Sequence, residues 1–146
     1  MKNICSAILV STHGSTAEEI IKTAEMIIGK QENISFVNFF PGESTDDLMN
    51  KFQKELSLLD CSKGALVMVD LFGGSPFNVI SKLAFINKNI EVITGVNIPM
   101  MLETLILRTS QDLEQLVIKA ETTGINGITI LDKNILENND EMEDEL

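Results

Sequence analysis

The sequence predicts an α/β fold, a doubly wound and mainly parallel sheet with helices on both faces. Three observations predict it. Short apolar runs of strand length alternate with longer segments whose apolar residues recur at helical spacing. Caps and breakers (Gly29, Pro41-Gly42, Ser75-Pro76, Gly124) punctuate the joins. No linker, repeat or low-complexity stretch divides the body, so the alternating units share one sheet.

The first strand is expected over residues 4–11, the apolar run Ile4-Cys5-Ser6-Ala7-Ile8-Leu9-Val10-Ser11. Ala17, Ile20, Ile21, Ala24, Ile27 and Ile28 then form a helical stripe that Gly29 ends. A second strand spans 34–39. A second helix follows Pro41-Gly42-Glu43-Ser44 and repeats Leu48, Phe52, Leu56 and Leu59 on one face. The third strand covers 65–70. The third helix opens at Ser75-Pro76, where Ser suits the cap and Pro the first turn. A fourth strand spans 90–94, and a fourth helix begins near Pro99. The fifth helix carries Leu113, Leu116, Val117 and Ala120 and stops at Gly124, and a last strand is expected over 128–131. Right-handed crossovers leave few topologies for this succession. The flavodoxin-like order 2-1-3-4 is the natural one. It makes strands one and three neighbours, with the ligand-binding switch point between their C-terminal ends.

A chain of 146 residues, 44% of them hydrophobic, fits one domain with a sizeable core. No apolar run reaches the length of a membrane span and the first residues show no signal-peptide cleavage pattern, so a cytoplasmic location is expected. Cys5 and Cys61 form neither a CxxC nor a zinc pattern and read as reduced, packed thiols. The net charge of −11 is uneven. Residues 137–146 hold six of the 22 acids and no base, which leaves 16 acids against 11 bases elsewhere, or −5. The expected division is therefore a domain over 1–133 and an acidic, solvated, disordered tail over 134–146. Nucleic acid is excluded as a partner for want of a basic footprint. The acidity steers a basic protein partner or serves solubility alone.

The chain's one histidine, His13, falls between the first strand and the first helix, whose start is Ser15-Thr16-Ala17-Glu18-Glu19. A helix N-terminus offers free N–H groups and partial positive charge, which favour phosphate. A neutral imidazole is a nucleophile that can carry a phosphoryl group. Asp70 closes the neighbouring strand, where its carboxylate can accept from His13 Nδ1–H, fix the tautomer and leave Nε2 free. Taken alone, Asp70 reads first as a strand-end aspartate that caps a loop, and the histidine beside it reverses that reading. Gly14, and Gly74 in the turn Gly73-Gly74-Ser75, bring backbone close enough to cradle phosphate. Ser75 either donates to phosphate or caps the helix, and Thr12 either contacts phosphate or closes the strand. Phe72, Phe77, Met100 and Met101 are either an apolar rim or core. No P-loop, nucleophile elbow or metal-ligand cluster is present, so no metal or cofactor is expected. A hydrolase triad of His13, Asp70 and Ser75 stays formally open.

Several motifs in the right order carry a resemblance. They are Ser11-Thr12-His13-Gly14, Thr23-Ala24-Glu25-Met26-Ile27-Ile28-Gly29, Pro41-Gly42-Glu43, Val69-Asp70-Leu71-Phe72-Gly73-Gly74-Ser75-Pro76-Phe77-Asn78 and Gly95-Val96-Asn97-Ile98-Pro99-Met100-Met101-Leu102-Glu103. From about residue 4 to about residue 131 the chain resembles the EIIA component of the mannose-type (mannose, fructose, sorbose) phosphoenolpyruvate-dependent sugar phosphotransferase system. The resemblance implies a phosphoryl carrier that takes the group from HPr on His13 Nε2 and passes it to EIIB. The sugar then enters through the membrane components EIIC and EIID. It implies Asp70 as the residue orienting the histidine and Ser75 as a phosphate contact. It also implies a homodimer in which the terminal strand, 128–131, is exchanged onto the partner's sheet, with Gly124 and Gly127 easing its exit. Some relatives continue into EIIB, whereas here an acidic tail follows, so a separate EIIA subunit is expected. A carrier never holds the sugar, so specificity falls to the other components. Two other readings compete. One is the phosphotransfer subunit of dihydroxyacetone kinase, which shares the histidine chemistry. The other is a non-catalytic regulatory binding module at the switch-point crevice.

Overall fold

The computed structural model describes residues 4–135. Four parallel strands, β1 (Ala7–His13), β2 (Ile34–Phe39), β3 (Ala65–Val69) and β4 (Ile90–Ile93), lie in the order β2-β1-β3-β4. Five helices complete the chain: α1 (Thr16–Ile28), α2 (Thr45–Leu58), α3 (Ser75–Ile86), α4 (Ile98–Leu107) and α5 (Leu113–Asn126). The predicted α/β sheet and its 2-1-3-4 order are thus present.

β1 and β3 are central, so both of their faces are covered and almost every residue is buried. Successive side chains alternate between the faces. Ile8, Val10, Leu66 and Met68 pack on one side with Ala17, Ile21 and Ala24 of α1, Met101 and Leu105 of α4, and Leu116 and Ala120 of α5. Leu9, Val67 and Val69 pack on the other with Leu48 and Phe52 of α2 and Val79 and Ile80 of α3. Side-chain caps start α2, α4 and α5. Ser44 and Asp47 form a reciprocal capping box, and Asn97 and Asp112 cap α4 and α5.

Several boundaries differ from expectation. β1 begins at Ala7 and runs on to His13, because Thr12 and His13 pair in register with Asn38 and Phe39 of β2. β3 ends at Val69, so Asp70 stands just beyond the strand. Gly74 is the N-cap of α3, and Ser75 is its first helical residue. α5 continues through Gly124 to Asn126. Gly124 and Gly127 are sites of close packing. A Cβ on Gly124 would lie 2.8 Å from Met100 Cε, and one on Gly127 would lie 2.5 Å from Pro99 Cγ. Residues 128–131 form no strand in the single chain, because a strand exists only by pairing and this segment meets no strand of its own chain. Ile128, Ile130 and Leu131 are exposed. Of the expected tail, residues 136–146 lie outside the described residues.

Arg108, only 5% exposed, ties the N-terminal end of the sheet together. Its guanidinium donates to the carbonyls of Ser6 (3.4 Å) and Asn33 (2.9 Å), to the carbonyl of Glu32, and to Gln31 Oε1 (3.3 Å). A planar fork with several donors suits this role, and an ammonium does not. We predict that Arg108→Met strands these acceptors and costs about 3 kcal/mol, roughly 10 °C in Tm. Arg108→Lys should recover less than half of that loss. Urea unfolding of the three proteins measures both effects.

Candidate active site

The site lies at the C-terminal end of the sheet, where β1 and β3 deliver His13 and Asp70 side by side. Ser11 pairs with Val69 in register, so both residues emerge at nearly the same level. Alternation along β1 sends His13 to the side of Leu9 and Ser11, facing α3, while Thr12 points to the α1 side. The imidazole is about half exposed, at 46%, and Asp70 is 24% exposed.

One carboxylate oxygen makes two contacts with the same residue. Asp70 Oδ2 accepts from the His13 backbone N–H at 2.9 Å and lies 2.9 Å from His13 Nδ1. An ionised carboxylate only accepts, so in the neutral ring Nδ1 carries the proton and Nε2 keeps its lone pair. Asp70 Oδ1 accepts from Leu71 N at 2.9 Å. Partial burial pushes the Asp70 carboxyl upward. The hydrogen bonds from the His13 backbone and ring, the charge of the ring and the Leu71 N–H outweigh it, so the pKa falls below the ordinary aspartate value. The loop after β4 braces the same point, with Gly95 N donating to the Asp70 carbonyl at 3.1 Å.

Two further surfaces confine the ring. Phe39, at the end of β2, meets it edge-on, with centroids 5.9 Å apart and planes at 72°. Gly74 faces it closely, since a Cβ there would lie 3.0 Å from His13 Cε1. Gly73, with φ of +79°, turns the chain toward α3.

The other expected phosphate contacts divide. Thr12 is fully buried, and its hydroxyl accepts from Ala17 N at 2.8 Å, which caps α1 and leaves no exposed hydroxyl for phosphate. Gly14 N donates to the Phe39 carbonyl at 2.8 Å, and Gly74 N donates to the Leu71 carbonyl at 3.3 Å, so both N–H groups are already engaged. Ser75, half-buried, opens α3 beside the site, and its hydroxyl makes no hydrogen bond among the described residues. The unpaired N–H groups at this helix end belong to Ser75 and Phe77, since Pro76 has none. Phe72 is 80% exposed and packs at a tilt of 42° against the half-buried Phe77, at 4.7 Å between centroids. Met100 and Met101 are core, not rim, while Leu71 and Phe40 join the exposed apolar surface. Sequence reasoning missed Phe39. The 2-1-3-4 order itself carried the signal, because it sets the last residue of β2 against the last residue of β1.

Among the described residues, no three His, Cys, Asp or Glu side chains gather to hold a metal ion. No helix there is long and apolar enough to cross a membrane.

Residues 7–121 match the family model EIIA-man, described as "PTS system fructose IIA component". The chain belongs to this mannose-type EIIA family of the sugar phosphotransferase system. The mannose-specific EIIAB component of Escherichia coli K12 is 45% identical over 126 residues, 86% of this chain and 39% of that protein. The chain thus spans about two fifths of the length of that relative. The fructose-specific EIIA component of Bacillus subtilis is 29% identical, over 96% of this chain and 99% of that one. An EIIA crystal structure from Streptococcus agalactiae superposes with a TM-score of 0.78 at 34% identity, covering 85% of this chain and 95% of that one.

The depressed pKa of Asp70 has a thermodynamic consequence for this EIIA chain. A group with a lowered folded-state pKa contributes stability that is fully present above its unfolded value and is lost as pH falls through the folded value. We predict that native protein is more stable than Asp70→Asn at pH 7, and that the gap narrows as pH drops below about 4. Chemical unfolding of both proteins between pH 7 and pH 3 tests the sign.

Proposed function

We propose that this chain is a phosphoryl carrier of a sugar phosphotransferase system, with His13 Nε2 as the atom that takes and gives the group. The observation that carries this reading is the His13–Asp70 contact. It protonates Nδ1, leaves the Nε2 lone pair free, and does so on a half-exposed ring. The donor is HPr bearing a phosphohistidine. The Nε2 lone pair attacks phosphorus, the P–N bond of the donor breaks, and its electron pair returns to the donor nitrogen. The Nδ1 proton stays against Asp70, whose negative charge offsets the charge developing on the ring. EIIB then removes the group by the same in-line exchange in reverse. Such a transfer is largely a matter of positioning, which suits a site with few groups. The N–H groups of Ser75 and Phe77 and the Ser75 hydroxyl are the donors for the phosphoryl oxygens.

The hydrolase alternative lacks its nucleophile, because among the described residues no serine hydroxyl bonds to His13. Membership of the EIIA family supports the sugar system over dihydroxyacetone kinase. We also infer a homodimer in which 128–131 pairs with the outer edge of the partner's β4. The exposed Ile128, Ile130 and Leu131 and the unpaired edge of β4 support it. Light scattering at micromolar concentration should give twice the chain mass, and the chain mass alone would defeat the dimer.

Labelled phosphoenolpyruvate passed through enzyme I and HPr should load about one acid-labile phosphoryl per native chain. His13→Ala should take none, and Asp70→Asn should load slower by roughly 10² to 10⁴. Native chain left unlabelled by charged HPr would defeat the carrier reading and favour a binding module.

A further inference from the structure

We propose that Gly74 and Phe39 are positioning residues that form a slot for the His13 ring and hold it in the one orientation with Nδ1 on Asp70 and Nε2 outward. The proposal rests on the carrier reading for its consequence, but the slot itself is a property of the resting protein.

The choice of glycine at 74 is not explained by backbone conformation. Its φ of −73° and ψ of 169° suit any residue, in contrast to Gly73 and Gly14 with their positive φ. Its N–H is engaged by Leu71, so it is not a free phosphate donor either. What remains is space. An added Cβ would meet the imidazole Cε1 at 3.0 Å, while its next neighbours, Leu71 Cβ and Leu71 O, lie at an ordinary 3.6 Å. The tight contact is therefore with the ring alone. Cε1 is the ring carbon between Nδ1 and Nε2, so the backbone at 74 approaches the edge that carries the chemistry.

Phe39 closes the slot with its ring at 72° to the imidazole. Its carbonyl also holds Gly14 N, which fixes the backbone that follows His13. A half-exposed histidine with only one polar contact would otherwise sample other χ2 states. A flipped ring would turn Nδ1 away from Asp70 and lose the tautomer preference. A methyl at 74 would force the ring to shift by a few tenths of an ångström against its Asp70 contact. A Phe39→Leu change would leave it a loose wall.

The test measures two things on native chain, Gly74→Ala and Phe39→Leu. The first is the His13 tautomer in unphosphorylated protein, from long-range ¹H–¹⁵N correlation spectra. The second is the rate of phosphoryl uptake from charged HPr. Native protein should show Nδ1–H only. Both variants should show mixed tautomers and load more slowly by about tenfold or more, with folding intact by circular dichroism. Native tautomer and native rate in folded Gly74→Ala would overturn the slot. Should that chain not fold, Phe39→Leu decides by the same two readings. The tautomer reading is independent of transfer, so a native chain that is never phosphorylated defeats the carrier and leaves the slot to stand or fall on the spectra.

Discussion

Everything at the site depends on one oxygen atom. Asp70 Oδ2 accepts from the backbone N–H of His13 and from its ring, so a single carboxylate fixes both where the residue starts and where the imidazole ends. The backbone bond sets the position of Cα relative to β3. The ring bond then sets the tautomer, and with it which nitrogen is nucleophilic. An exposed histidine elsewhere on the surface would have neither restraint. Oδ1 is meanwhile held by Leu71 N, so the carboxylate cannot rotate to release the ring without giving up a second hydrogen bond.

That arrangement is available only because of the sheet order. With β1 and β3 adjacent and parallel, their C-terminal ends open at one edge, and the helices that follow them, α1 and α3, start there too. Two helix N-termini, one imidazole and one carboxylate therefore converge without any long-range loop. β2 on the far side of β1 adds Phe39 by the same logic. At the opposite end of the sheet the chain is locked by Arg108, which binds carbonyls of three different residues and contributes nothing to the chemistry. One end of the sheet is stabilised and the other is left free for function.

The fold was legible because its signals are periodic. β1 and β3 read as apolar runs, the helices read as stripes, and the Pro41-Gly42-Glu43-Ser44 signal leads into a real cap at Ser44. His13 and Asp70 were legible because a lone histidine and a strand-end aspartate fall at neighbouring strand ends once the order is known. The rest was not legible, for physical reasons. Sequence puts Thr12, Gly14 and Gly74 near the site but does not tell whether a hydroxyl or an N–H is already paired within the chain. Met100 and Met101 sit on a helix whose buried face is set by packing against β1, β3, α1 and α5, which the helix's own pattern does not reveal. Residues 128–131 carry strand-like residues, but pattern alone does not supply the second strand that pairing needs.

A carrier must satisfy two demands that pull apart. Its nucleophile has to be open enough for two different proteins to reach, yet ordered enough that little is lost on aligning it. Contacts on the solvent side would meet the second demand and defeat the first. Here every restraint on His13 comes from within the chain: Asp70 at Nδ1, Phe39 against the ring, Gly74 at Cε1. Those contacts leave Nε2 as the one ring nitrogen without an internal partner. The exposed Phe72 and Leu71 add apolar surface beside it that a partner can cover without disturbing the ring. Exposure of the reactive atom and order of the ring are thus met by different sides of the same side chain.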